Sequence, residues 1–288
     1  MIENSPLVSV IMTAYNREHF ISEAIESVMN NSYQNFELII VDDGSKDQTV
    51  NIAKDYAQSD VRVKVFVNEK NLGDYPNRNK AASYAKGKYI MFCDSDDSLI
   101  ENGIERCVES MLKFPNAKFG LYWAYNERDP FTRTPSESVK KNFFGEPFLG
   151  MGPGSTIIES DFFNKIDGYP VKYGPANDMY FNLKVICYTD ILLLPFKFSN
   201  YRIHENQERN NIEKYLIYNY LYFKDALNEL PLQLTTKEKN WLSKKNKRRF
   251  FVNILKYYFR SFNFLKTKQI YLSSGFSFHD ILLAIFQF

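Results

Sequence analysis

Three carboxylates fall within four residues at Asp94-Ser95-Asp96-Asp97, directly after the apolar run Lys88 to Cys93. Left without partners they repel one another, and the cluster costs stability. A divalent cation removes that cost. Mg2+ and Mn2+ prefer oxygen ligands and are commonly held by one or two carboxylates together with substrate phosphates. The pattern therefore suits a metal that arrives with a diphosphate. The same residues would also suit an acidic turn capping the next helix, because Asp favours caps and turns. Two further polar clusters follow apolar runs, Thr13-Ala14-Tyr15-Asn16 and Asp42-Asp43-Gly44-Ser45. Downstream, Asn177-Asp178 opens a helical pattern, where the macrodipole favours an acid, and His204 is one of three histidines.

These residues need elements to position them. Val8 to Thr13 and Phe36 to Val41 are rich in β-branched residues and read as buried strands. Val61 to Val67 alternates as a third strand, and Lys88 to Cys93 is a fourth. Between them, His19 to Met29, Thr49 to Ala57 and Pro76 to Ala85 read as helices. Pro76 suits a first turn, and Gly87 follows the last of these helices. Such alternation predicts βαβ units and a parallel sheet flanked by helices. Ligands bind such sheets at the carboxyl ends of the strands, and all three polar clusters lie on that edge. Further on, Glu101 to Phe114 reads as a helix and Phe119 to Tyr125 as a strand. Gly145 to Gly154 holds four glycines and two prolines and reads as a loop suited to lining a cleft. Ser160 to Lys165 is a short helix, Asn177 is expected to cap a helix to about Ile186, and from about Glu208 the pattern is mostly helical.

A chain of 288 residues accommodates one large α/β domain, or a smaller one with an appendage. Its net charge of +2 hides an asymmetry. Lys237 to Lys268 holds 11 Lys/Arg against Glu238 alone, which leaves the remainder at −8. In that window Trp241, Phe250, Phe251, Ile254, Leu255, Tyr258, Phe259 and Phe262 fall near helical spacing. Basic amphipathic helices of this kind bind anionic membrane surfaces; alternatively the aromatic face packs on the rest of the chain. No nucleic-acid-binding motif is present, so no nucleic-acid partner is expected. Three cysteines without paired spacing argue against a disulfide framework or a zinc cluster and for a reducing compartment. The first residues lack the basic and apolar regions of a signal peptide, and no apolar run is long enough to span a bilayer. A cytoplasmic protein, peripheral on the inner face of the cell membrane, is the expectation. The loop Ala14-Tyr15-Asn16-Arg17 is not GxGxxG, which excludes a dinucleotide-binding oxidoreductase. Nor is it the Gly-rich basic cradle a nucleotidyltransferase would need.

Taken in order and spacing, VSVIMTAYN, FELIIVDDGSKDQT, NLGDYPNRNKAASYAKGKYI and MFCDSDD resemble family 2 glycosyltransferases of the GT-A fold, over roughly residues 6 to 204. The resemblance implies an α/β GT-A catalytic domain at 1–205, with a nucleotide-sugar half to about 98 and an acceptor half from about 99. A helical, basic-aromatic extension would occupy 206–288. Thr13 and Tyr15 would hold base and ribose, Asp43 would accept from the base, and Arg78 would lie near base and diphosphate. Asp94 and Ser95 would contact the nucleotide-sugar, while Asp42 would only stabilise its turn and Asp97 would cap a helix. Asp96 would bind Mn2+ or Mg2+ together with Asp94, and His204 of Tyr201-Arg202-Ile203-His204 would be a third ligand. Asp178 would be the catalytic base; the family's preceding Glu is replaced by Asn177. Gly152 to Ser155 resembles an acceptor-side loop. The implied activity is inverting transfer from a UDP- or dTDP-sugar to a hydroxyl of a saccharide or lipid-linked acceptor, in polysaccharide or glycolipid assembly. The alternative is a non-catalytic sugar-nucleotide-binding or scaffold protein.

Overall fold

Strands rich in β-branched residues form where both faces of a sheet are covered. A computed structural model, describing residues 5–124, 128–204 and 211–286, shows this arrangement. Strands β1 (Val8–Ala14) and β2 (Phe36–Asp42) have no exposed residue. With β3 (Val63–Val67) and β4 (Tyr89–Phe92) they form a parallel array, Val8 lying opposite both Phe36 and Tyr89. After the two-residue β5 (Ser98–Leu99) come β6 (Ala117–Tyr122), β7 (Phe131–Arg133), β8 (Thr156–Glu159) and β9 (Asp190–Leu194). The eight-stranded sheet runs β3-β2-β1-β4-β8-β6-β9-β7, and β5 pairs instead with β10 (Ser199–Asn200). β8 is antiparallel to β4 and β6, so the sheet is mostly rather than wholly parallel.

Helices cover the sheet with the residues their spacing predicts. α1 (Ile21–Met29) contributes Ile21, Ala24, Ile25 and Val28. They join Val10, Met12, Leu38, Ile40 and Met91, with Ile104 and Val108 of α4 (Gly103–Lys113), in one core. α2 (Thr49–Ser59) packs beside α1, and α3 (Asp74–Ala82) beside β1. Phe92 meets the rings of Phe163, on α6 (Ser160–Lys165), and Tyr169 at 6.2 and 5.5 Å.

The chain divides into two compact units: Met1–Ser138, Gly150–Tyr169 and Tyr188–Ile203 form the first, and Val139–Leu149, Pro170–Cys187 and His204–Phe288 the second. α5 (Pro135–Phe144) begins in the first and ends in the second. The second also holds α7 (Asn177–Val185), α8 (Ile212–Glu229), α9 (Thr236–Ser261), α10 (Phe264–Ser273) and α11 (Phe278–Phe286). Tyr220, Phe250, Ile254, Ile270 and Phe276 form its core, with Tyr220 and Phe250 stacked at 4.5 Å.

Several expectations move. The helix expected from Pro76 begins at Asp74 and ends at Ala82. The strand expected over 119–125 runs from Ala117 to Tyr122, and Tyr125 lies outside the described residues, as does the boundary expected at 205–206. Asn177 does not cap α7: it is the first helical residue, and its side chain reaches backwards. Phe250 and Ile254, expected on a membrane-facing stripe, are core residues.

One buried charge supports the amino end of the sheet. Glu37 on β2 accepts from the Ser9 hydroxyl and the Lys86 N–H, both at 2.7 Å, and pairs with Lys64. Ser9 in turn accepts from the Gly87 N–H. A Cβ at Gly87 would stand 2.6 Å from the Ser9 nitrogen, so the close approach requires glycine. Burial pushes the Glu37 carboxyl up, but Lys64, Ser9 and the Lys86 N–H outweigh it and hold the group below its usual range. Its contribution is therefore complete above the unfolded carboxyl range and disappears as pH falls through the lower folded value. Glu37→Gln is expected to cost about 1 to 3 kcal/mol at pH 7. Urea denaturation of both proteins at pH 7 and pH 4 checks it: the gap should narrow at the lower pH.

Candidate active site

The strand order 3-2-1-4 reverses direction between β1 and β4. At such a switch point the loops leaving neighbouring strands diverge and open a crevice at their carboxyl ends. Thr13 to Asn16 leave β1 there, Asp42 to Ser45 leave β2, and Asp94 to Asp97 follow β4. Thr13 is half-buried, Tyr15 exposed and Ser95 buried.

Asp42 behaves as expected of a turn-former. Its Oδ1 accepts from the Gly44 and Ser45 N–H groups at 3.0 and 2.8 Å, and Oδ2 from the Ser45 hydroxyl. Asp43 is also occupied by its own chain. Oδ1 accepts from Asn68 Nδ2 and the Leu72 N–H, both at 2.8 Å, and Oδ2 from the Gly73 N–H at 2.9 Å. Gly73 holds φ +88, a conformation that favours glycine. Asp43 thus secures the turn that opens α3, from which Arg78 emerges.

Arg78 is buried, donating Nε to Asp74 at 2.7 Å and Nη1 to Asp94 at 2.6 Å. Burial alone disfavours its charge, but Asp74 and Asp94 hold the guanidinium well above its ordinary pKa. Arg78 therefore fixes the first acid of the acidic turn. Asp96 Oδ2 accepts from Arg17 Nε at 3.0 Å, and Arg17 also donates to the carbonyls of Tyr15 and Asn16. The turn is closed by the Asp97 N–H on the Asp94 carbonyl at 2.9 Å.

Asp97 does not cap a helix: α4 opens at Gly103 behind Asn102. Its carboxylate is buried and accepts the Arg202 N–H at 2.8 Å. Burial, then the charges of Asp94 and Asp96, push it up to about 7, against the Arg202 N–H and Arg78. Ligand oxygens of Asp94, Asp96 and Asp97 all lie within 4.8 Å of one another. Hard oxygen donors under mutual repulsion match what Mg2+ or Mn2+ requires.

Two arginines were not singled out by the sequence. Arg17 follows the Tyr15-Asn16 pair, and Arg202 lies in the segment from which only His204 was singled out. Arg202 donates Nε to the Asp96 carbonyl at 3.1 Å and pairs with Glu23 of α1. It is a positioning residue for the acidic turn. Arg202→Ala is expected to weaken metal-dependent nucleotide binding about tenfold, the scale of one charge-assisted hydrogen bond. Calorimetric titration of UDP with Mn2+ measures it.

In the second unit, Asp178 is half-buried in the first turn of α7 and accepts the Met179 N–H at 2.7 Å. Buried Asn177 accepts the Tyr173 N–H at 2.9 Å and donates to the Gly174 carbonyl at 2.7 Å, which closes the turn before the helix. A carboxylate could not donate to that carbonyl. α8 holds the same segment: Tyr173 donates to Asp225 at 3.0 Å and Tyr180 to Glu229 at 2.8 Å. His204, half-buried, is also in this unit.

Residues 9–166 match the model of Glycosyl transferase family 2. The chain belongs to this family. The matched segment includes the three polar clusters, Arg17 and Arg78, and ends before Asp178. Over 107 residues, 37% of this chain, the transferase is 45% identical to UDP-Glc:alpha-D-GlcNAc-diphosphoundecaprenol beta-1,3-glucosyltransferase WfgD of Escherichia coli. The matches span 35 to 44% of the length of that relative and of two uncharacterized glycosyltransferases of Haemophilus influenzae. Among solved structures, TarS 1-349 of S. aureus in complex with UDP-GlcNAc superposes with a TM-score of 0.74. That likeness covers 96% of this chain and 81% of the TarS 1-349 chain at 20% identity, and carries the fold alone. The mannosyltransferase PcManGT of Pyrobaculum calidifontis, in complex with GDP-Man and Mn2+, gives 0.61 at 13% identity, covering 97% and 86%.

Proposed function

We propose that this family 2 glycosyltransferase moves one sugar from a UDP- or dTDP-sugar to an acceptor hydroxyl, with inversion and with a divalent cation. The observation that carries the reading is the acidic turn at the β1–β4 switch point, held by Arg17, Arg78 and Arg202. The UDP-sugar named for the Escherichia coli relative and the UDP-GlcNAc bound to TarS support the donor class. The diphosphoundecaprenol in that relative's name supports a lipid-linked acceptor in surface polysaccharide or glycolipid assembly.

In this reading Thr13, Tyr15 and Ser95 line the nucleotide-sugar site, and the remaining acceptor capacity of Asp43 Oδ2 meets a ring N–H of uracil or thymine. Asp94 and Asp96 hold Mn2+ or Mg2+, with His204 as a third ligand. When bound, the ion supplies positive charge to the departing diphosphate. Arg78, anchored on Asp94, keeps a fixed cationic group beside that carboxylate. Asp178 takes the acceptor hydroxyl's proton as its oxygen attacks from the face opposite the diphosphate, so the configuration inverts. Residues 1–205 carry the catalytic groups, and the 206–288 extension, which folds with 139–149 and 170–187, meets the membrane surface from the cytoplasm.

Calorimetry with UDP-, dTDP- and GDP-sugars, in Mn2+ and in EDTA, tests this. Tight binding of one UDP- or dTDP-sugar only with metal is expected. No nucleotide binding under either condition would favour a non-catalytic scaffold. Asn177 in place of Glu is the feature that favours such a scaffold; in the structure the amide closes the turn before Asp178.

A further inference from the structure

We propose that the corner joining α9 to α10 inserts into an anionic lipid surface. This deepens the membrane-facing part of the function above and is independent of its transfer chemistry.

Four large apolar side chains stand in solvent within seven residues. Phe259 is 63% exposed, Phe262 77%, Phe264 65% and Leu265 77%. Contiguous apolar exposure of this kind marks an interaction site rather than ordinary surface. The corner itself is unusual. Phe262 ends α9 in the left-handed region, at φ 48° and ψ 26°. Glycine is the usual residue there because a side chain is disfavoured. Asn263 then caps α10 by accepting the Lys266 N–H at 3.0 Å, so the reversal is defined by its own hydrogen bonds. Folding thus places a bulky ring at the tip, where stability alone would favour a small residue.

The adjoining helix continues the surface. α10 turns Ile270 into the core of its unit. Phe264, Lys268 and Leu272 follow one another at four-residue spacing on another face, and Leu272 is 65% exposed. Such a helix has a face left over after packing that is apolar at both ends with a cation between.

Charge selects the occupant. Lys256, Arg260, Lys266 and Lys268 are all exposed around the corner. Lys266 is committed to Glu213 at 2.8 Å, which leaves three cations facing outward. From Lys239 to His279 the sequence contains no acid. Apolar tips ringed by cations match the boundary between anionic headgroups and acyl chains. No helix among the described residues is long and apolar enough to cross a membrane, so contact is by shallow insertion.

The test is co-sedimentation of the full chain with vesicles of phosphatidylcholine containing about one third phosphatidylglycerol, against phosphatidylcholine alone. Wild type is expected to bind the anionic vesicles, less so in high salt. The triple variant Phe262→Ser, Phe264→Ser, Leu265→Ser is expected to lose at least about tenfold in partitioning, with donor binding unchanged. Phe262→Trp, with Trp123 and Trp241 replaced by Phe, supplies a second readout: its emission should shift to the blue on anionic vesicles only. Wild-type-like binding by the triple variant, or equal binding to neutral vesicles, overturns the proposal. So does a concentration-dependent dimer that the triple variant abolishes, since a second copy would then cover the corner. If the triple variant fails to fold, the Phe262→Trp emission decides, and no blue shift overturns the proposal. Failure of the wild type to bind anionic vesicles while it still binds donor sinks this inference alone, and vesicle binding without donor binding sinks the transfer reading alone.

Discussion

Asp96→Asn is expected to abolish the Mn2+ dependence of donor binding and to lower transfer by about 10^2 to 10^3-fold, the scale of removing one preorganised electrostatic contact. The substitution keeps the shape of the side chain, and the turn's backbone bond from Asp97 to Asp94 does not involve it. What is lost is one of three clustered carboxylates and the charge opposite Arg17. Two readouts separate a metal defect from a folding defect. Calorimetry should show nucleotide affinity equal in Mn2+ and in EDTA. Mn2+ should raise the unfolding temperature of wild type, because a ligand that binds the folded state stabilises it by mass action, and should leave that of Asp96→Asn unmoved. An Asp96→Asn protein whose UDP affinity still depends on Mn2+ would move the metal to Asp94 and Asp97.

Asp178→Asn is expected to lower kcat by about 10^2 to 10^4-fold, the range for a lost general base, with the donor Kd unchanged. The amide retains an oxygen for the Met179 N–H, so α7 keeps its first turn. Single-turnover kinetics with saturating donor measure the chemical step directly. Equal loss in kcat and in donor affinity would make Asp178 a binding residue instead. Tyr173→Phe and Tyr180→Phe are the controls, removing the hydroxyls that tie this segment to Asp225 and Glu229. As positioning changes they should cost far less than Asp178→Asn.

Much of the first hundred residues was legible because Val8 to Ala14 and Phe36 to Asp42 are buried on both faces, and burial on both faces writes itself into sequence as unbroken β-branched runs. β7 and β8, three and four residues long, are too short to show a period. α5 had a signal that was not read. Thr134 and Glu137 exchange hydrogen bonds around Pro135, a capping box with proline in the first turn. The acidic turn was legible as a cluster, but its supports were not. Arg17 and Arg202 lie 79 and 106 residues from Asp96, and only the fold brings them to it. Asp97 and Asn177 were misread alike, since a polar residue near a helix start suits a cap until burial reveals another partner.

The two compact units alternate along the sequence, which passes from one to the other after residues 138, 149, 169, 187 and 203. Modularity therefore does not follow sequence order. A chimera that exchanged everything after residue 205 would carry away Asp225 and Glu229 and leave Tyr173 and Tyr180 with foreign partners. An exchange of the second unit between relatives would keep these contacts only if 139–149 and 170–187 travelled with the carboxyl-terminal helices. An exchange that preserves the second unit would accordingly have to move three segments together, because the helices after residue 205 hold the segment that opens α7.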